Sequence, residues 1–269
     1  MIPSGIVVDR FGGCAVVIFR HQSINRFTFM PSFRKLISAS LSVLLSAALH
    51  AADVDEILEG YYEAQGGLEK LRELQSLRIS GVNRFQQQEI SAKYLAMRPN
   101  LLRMESASPE VEVVRVFDGE TAWQAVRQRG STARVVRMEG QEAVELIRES
   151  DFDGALVDYR EKGHTIELVG IEKVRGSEAY KLEVVEQGGV RETYFIDTNT
   201  YRIVKKATDV PAEGGTILFE MYYDDFREVD GLVFPFTTTA VSSGQTVFTG
   251  LVEEVEVNPE LDPELFERP

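Results

Sequence analysis

From Ser76 onward the chain alternates apolar and polar residues with a period of two, and it does so in β-branched and aromatic residues. Leu77-Arg78-Ile79-Ser80, Tyr180-Lys181-Leu182-Glu183-Val184 and Thr193-Tyr194-Phe195-Ile196 are examples. Successive side chains of a strand point to opposite faces, so this pattern fits half-buried antiparallel strands and little else. Turn signals separate the runs at Asp118-Gly119, Gly188-Gly189, Asp230-Gly231 and Ser243-Gly244. Each supplies the positive φ that a tight hairpin turn needs, so consecutive strands are expected to pair as a meander. No strand alternates with a full crossover helix, which excludes a parallel doubly wound sheet.

Three segments break the period. Asp53 with Glu56 gives a cap-like start, and Val54, Ile57, Leu58, Tyr61 and Tyr62 recur at helical spacing, predicting a first helix over about 54–65. Leu68 to Leu74 adds a short amphipathic turn or two. Gly140 to Ser150 interrupts the strands as a third helix with Ala143, Val144 and Ile147 on one face. With no repeat, low-complexity tract or linker, residues 52–269 read as one mainly β (α+β) domain. A long sheet with one apolar face must curl, pair with another sheet or accept helices. Where movable helices do the covering, the space between is a ready ligand cavity.

The first fifty residues read differently. Phe33-Arg34-Lys35, the 14-residue apolar run Leu36 to Leu49 and the small residues Ala51-Ala52 form a signal peptide opening at Met30. The run is too short for a bilayer core, which needs about 20 residues. Residues 1–29 show no helical or strand period and are expected to lie upstream of the true start; 30–51 are expected to be cleaved, releasing the domain into the periplasm. Removing residues 1–51 takes away five basic residues against one acidic, which moves the net charge from −14 to −18. Such a surface repels phosphates, so neither nucleic acid nor anionic lipid headgroups are expected partners, and no stable membrane insertion is expected. Cys14, the only cysteine, falls in the removed stretch. The mature chain therefore has no thiol nucleophile, disulfide or Cys metal site, and no lipid-accepting cysteine.

No catalytic constellation is visible. His164 would be the sole remaining histidine, and without a G-x-S-x-G motif it reads as an exposed strand-end residue. Asp151-Phe-Asp153-Gly154 starts like a calcium loop but lacks the later ligands, and reads as a turn. No Walker A, dinucleotide or His-rich metal spacing occurs, so no enzyme activity, cofactor or metal is expected. What does occur is an apolar set: Tyr94, Met97, Met104, Trp123, Leu182, Phe219, Met221, Tyr223 and Phe236. These residues fit an ordinary core or the lining of a cavity for an alkyl chain. At about 0.8 kcal/mol per buried CH₂, a sixteen-carbon chain offers on the order of 10 kcal/mol before ordering costs. Such a site needs little polar chemistry.

Lys93-Tyr-Leu-Ala-Met-Arg98-Pro99-Asn100-Leu101-Leu102-Arg103, followed by Val116-Phe117-Asp118-Gly119-Glu120-Thr121-Ala122-Trp123, resembles the periplasmic lipoprotein-carrier family of LolA and its relatives. Glu192 to Ile203 and the closing Val257 to Phe266 are similar to later family segments. The resemblance implies an incompletely closed antiparallel β-barrel covered by a helical lid, LolA/LolB-like, with lipoprotein acyl chains or another lipid bound between. It implies that Arg98, in the Arg-Pro motif, hydrogen-bonds to the lid as a latch. The segments 127–165 and 205–216 have no clear counterpart in the carrier. The function expected is a periplasmic acyl-chain carrier; the alternative is an envelope sensor or scaffold that uses the same fold to bind a protein partner. The third reading is a hydrolase centred on His164.

Overall fold

The computed structural model describes residues 7–11, 14–18, 53–212 and 215–269. The expected signal segment lies outside them. Val7–Phe11 (β1) and Cys14–Ile18 (β2) pair as a separate antiparallel hairpin within the stretch 1–29. Val7, Val8, Val16, Val17 and Ile18 are β-formers, but their run is too short to show a period.

All other strands form one 13-stranded antiparallel sheet. One half holds β3 (Ser76–Phe85), β4 (Gln88–Met97), β5 (Leu101–Ala107), β6 (Val111–Phe117), β7 (Ala122–Gln128) and β8 (Arg134–Arg137). The other holds β9 (Thr165–Val174), β10 (Ser177–Val185), β11 (Arg191–Asp197), β12 (Ile203–Ala212), β13 (Gly215–Val229), β14 (Leu232–Ser242) and β15 (Gln245–Val257). Each half is a meander, and β3 pairs with β15 to join them. β8 and β9 remain as free edges, so the fold is an incompletely closed barrel. Two of the anticipated turns have both central residues at positive φ: Asp230 and Gly231 at 51° and 79°, and Ser243 and Gly244 at 50° and 76°. That geometry matches the strand twist and fixes the β13–β14 and β14–β15 registers.

Register assigns the two faces. Leu182 opposes Tyr194, Tyr194 opposes Lys206, Lys206 opposes Met221, and Met221 opposes Ala240. Across the joint, Ile79 opposes Tyr94, Tyr94 opposes Met104, and Met104 opposes Arg115. These residues share the inner face, which all three helices cover. In α1 (Val54–Ala64), Ile57, Leu58 and Tyr61 are buried against Leu182, Val184, Tyr194 and Ile196. Asp53 stands at its N-cap but makes no side-chain cap bond, so the cap-like signal located the start by backbone alone. The six-residue α2 (Leu68–Glu73) follows. In α3 (Gly140–Glu149), Leu146 is buried with Ala96, Leu102, Phe117 and Ala122.

The outer face has its own cover. Leu95, Val114, Val116 and Ala125 pack beneath the C-terminal tail, where Leu261 and the fully buried Phe266 close the cluster. Phe266 sits in a 3₁₀ turn (Pro263–Phe266) capped by Asp262, whose Oδ1 accepts from the Glu264 N–H at 3.0 Å.

Candidate functional site

The sheet carries hollows, and helices line two of them. A cavity of about 160 Å³ is lined by Ile79, Tyr94, Met104, Val113, Arg115 and Val252, among others. Its floor is thin because Ala92 and Gly250 offer almost no side chain. At Gly250 a Cβ would stand 2.5 Å from Thr238 Oγ1 and 3.0 Å from Asn83 Oδ1, so only glycine fits there. A second cavity of about 270 Å³ lies between Tyr61, Leu74 and Ala155 on the cover and Tyr194, Lys206 and Tyr223 on the sheet. A third recess of about 510 Å³ runs between α3 and β10–β13, past Arg148, Val184, Glu192 and Leu218.

Tyr94, Glu149 and Tyr223 are surrounded by protein deeply enough for desolvation to raise each of them. Each nonetheless keeps part of its surface accessible.

Charged groups hold the cover down at two places. At the first, Arg98 Nε donates to the Leu74 carbonyl at 2.6 Å and Nη2 to that of Leu71 at 3.3 Å. The two Nη atoms form a fork onto Asp153, both bonds 2.8 Å, and the guanidinium lies 5.0 Å from the Phe152 ring centre. One arginine thus ties β4 to the end of α2 and to the turn after α3. The Asp151 to Gly154 stretch is that turn, as expected, with the Gly154 N–H bonded to the Asp151 carbonyl at 3.0 Å.

At the second place, Arg148 of α3 reaches Glu192 at 2.7 Å and Glu186 at 3.0 Å. Glu192 also accepts from Lys206 at 2.9 Å and from the Tyr194 hydroxyl at 3.0 Å. Burial alone would raise the Glu192 carboxyl, but Lys206 and Arg148 outweigh it and bring it down to about 2. The same attraction, from Tyr194 and Glu192, keeps Lys206 charged despite its desolvation. Next door, burial pushes Glu149 up to about 7, against the pull of Arg115, Arg148 and Lys206. Its Oε2 is sealed from solvent without a hydrogen-bond partner.

α3 is therefore turned differently from the sequence pattern. Ala143 and Leu146 face the sheet, while Val144 and Ile147 are 47% and 43% exposed. The sheet presents Arg115, Glu192 and Lys206 inward, so the helix directs Arg148 and Glu149 to them and turns two aliphatics to water.

Of the residues anticipated from sequence, Tyr94 and Met104 line the first cavity and Tyr223 the second. Leu182 is on the inner face, fully buried and packed in the cluster that α1 closes. Phe219 and Met221 pack with Ala240 and Phe248, and Phe236 packs with Leu77 and Val255. Met97 and Trp123 are not in this set, because they belong to the outer cluster under the tail. There Trp123 Nε1 donates to Asp118 Oδ2 at 3.0 Å. His164 is half-buried just before β9 and accepts from the Gln187 N–H at 3.1 Å through Nδ1. Arg115, Arg148, Glu149, Glu192 and Lys206 were missed. The available signal was parity: Arg115 alternates with Val113 and Phe117, and Glu192 with Tyr194, so each puts a charge at an inward position.

No protein-family model matches this sequence, and no curated protein matches it. Solved structures do match in shape. A LolA superfamily protein from Nitrosomonas europaea aligns with a TM-score of 0.52 at 14% identity, covering 78% of this chain and 97% of that one. A domain described as an outer membrane lipoprotein-sorting protein from Vibrio parahaemolyticus gives 0.52 at 10% identity, covering 78% and 94%. A DUF1329 family protein from Desulfovibrio piger gives 0.52 at 11% identity, covering 78% and 97%. At these identities the shared property is architecture: the chain has the LolA-like fold, an open antiparallel barrel covered by helices.

Proposed function

We propose that the protein is a soluble, exported carrier that holds acyl chains of lipoproteins or another lipid between the inner face and its helical cover, with no covalent chemistry. The observation that carries this reading is a set of three hollows, the first walled by strands alone and the other two lying between the sheet and its helical cover. None alone matches the roughly 300–1,000 Å³ of a typical ligand pocket with an apolar lining throughout. Displacing α3 and the turn after it would enlarge the second and third hollows, which those segments line. Arg98 and Arg148 are the latches such opening must release, and their bonds to carbonyls and carboxylates can re-form when the ligand leaves. The periplasmic setting comes from the signal-like segment. The test is purification from native envelope extracts, solvent extraction and mass spectrometry, alongside uptake of a fluorescent acyl probe. Stoichiometric lipid and saturable uptake are expected; neither lipid nor uptake would overturn the proposal.

A second reading, recognition of a protein partner, is favoured by one observation. β9 is a ten-residue free edge carrying exposed Val169 and Ile171, the type of edge to which an extended peptide can add. A partner whose binding is indifferent to lipid and lost in Ile171→Pro would support this reading.

A further inference from the structure

The second cavity, about 270 Å³, brings together hydroxyl groups that the protein itself does not use. Tyr61 of α1 lines it from the cover, and Lys206 and Tyr223 line it from the sheet. The last two are diagonal neighbours on the inner face, since Lys206 opposes Met221 and Tyr223 lies two residues further along the same strand. Tyr61 is only 8% exposed, yet neither its hydroxyl nor that of Tyr223 hydrogen-bonds to a described residue. Nearby tyrosines do: Tyr62 donates to the Leu156 carbonyl at 2.7 Å, Tyr94 to the Glu149 carbonyl at 3.1 Å and Tyr194 to Glu192 at 3.0 Å. A hydroxyl taken out of water without an acceptor costs free energy, and such a group in a native structure calls for an explanation. Burial also raises both phenols, so they remain proton donors throughout the neutral range.

The charges around the cavity are already matched. Lys206 is answered by Glu192 at 2.9 Å, Arg148 by Glu192 and Glu186, and Asp153, which lines the cavity, by both Nη atoms of Arg98. A charged ligand would upset that balance, whereas a neutral acceptor would not. Much of the remaining wall is apolar, with Leu71, Leu74, Phe226 and Phe234 in it. We propose that this cavity takes the carbonyl of a neutral acyl ester, whose oxygen accepts from the Tyr61 and Tyr223 hydroxyls while its chain lies against the leucines and phenylalanines. This rests on the carrier reading and deepens it by assigning the polar part of the ligand. One hydroxyl is on α1 and the other on β13, so the bound carbonyl bridges the cover and the sheet.

The test uses protein isolated from cells expressing the full chain and delipidated, with methyl octanoate, decane and octanoate as displacers of the neutral dye N-phenyl-1-naphthylamine. Tyr61→Phe and Tyr223→Phe remove one hydroxyl each and, since neither is bonded within the protein, are expected to leave the urea midpoint unchanged. Together they are expected to weaken methyl octanoate about tenfold, the worth of one or two hydrogen bonds, and to leave decane unweakened. With the unaltered protein, the infrared carbonyl stretch of the bound ester is expected at lower frequency than in hexane, and the double variant is expected to return it toward the hexane value. A lowered midpoint, equal losses for ester and decane, an unshifted carbonyl band, or octanoate binding more tightly than the ester would each overturn this inference and leave the carrier reading standing. Displacement by none of the three would take both down. If the double variant fails to fold, the carbonyl band of the ester bound to the unaltered protein and to the single variants still decides.

Discussion

Arg98 is bonded to two backbone carbonyls and to both oxygens of Asp153, and that division of labour predicts unequal costs of truncation. Asp153→Ala leaves the guanidinium with Leu71 and Leu74, whereas Arg98→Ala strands a carboxylate that is only 11% exposed. Arg98→Ala is therefore expected to be the more destabilising change in urea unfolding. The double mutant should reveal a coupling of roughly 1–3 kcal/mol, as residues in one network do; strictly additive costs would contradict the latch. The Arg-Pro motif pointed to Arg98, but its partners lie 27 and 24 residues upstream and 55 downstream, a proximity no local pattern encodes. The misplacement of Met97 and Trp123 was avoidable. Tyr94 and Met97 are an odd number of positions apart in one strand and so cannot share a face, while Trp123 opposes Val116 and not Phe117.

At the scale of elements, the strands and α1 were readable because alternation and a 3.6-residue period each report a single buried face. α3 was readable as a helix but not in its rotation, because the sheet beneath it supplies charges that only register reveals. Rotation makes a direct prediction. Leu146→Ala should cost about 2–5 kcal/mol, as buried leucines do, while Val144→Gln and Ile147→Gln should change stability by no more than about 0.5 kcal/mol. The reverse ranking in thermal or urea unfolding would place the other stripe on the sheet. The tail tests the separation of the two faces. Phe266→Ala opens a cavity beneath the outer cluster and should cost about 3–5 kcal/mol, yet uptake of an acyl probe by the folded variant should persist because the hollows lie on the other side of the sheet. Loss of uptake at full folding would mean the two faces are coupled.

At the scale of the whole molecule, two buried carboxylates pull stability in opposite directions with pH. Glu192 is brought down to about 2 in the folded protein from an ordinary 4.5. The unfolded chain therefore binds its proton first, and the stabilisation is present above about pH 4.5 and lost as pH falls toward 2. Glu149 is pushed up to about 7 from the same starting value. The folded protein holds that proton longer, so its stabilisation is complete below about pH 4.5 and is lost as pH rises through 7, by at most on the order of 3 kcal/mol. Stability should accordingly peak in mildly acidic solution, with the neutral side weakened where α3 is the element bearing the strain. Urea midpoints measured from pH 2 to pH 8 check this. Glu149→Gln is expected to flatten the fall between about pH 4.5 and 7 while leaving the acid limb intact, and Glu192→Gln to do the converse. Parallel curves for the unaltered protein and Glu149→Gln across the upper window would mean that this carboxyl carries no such load. The cover would then be held by Arg98 and Arg148 without opposition from within.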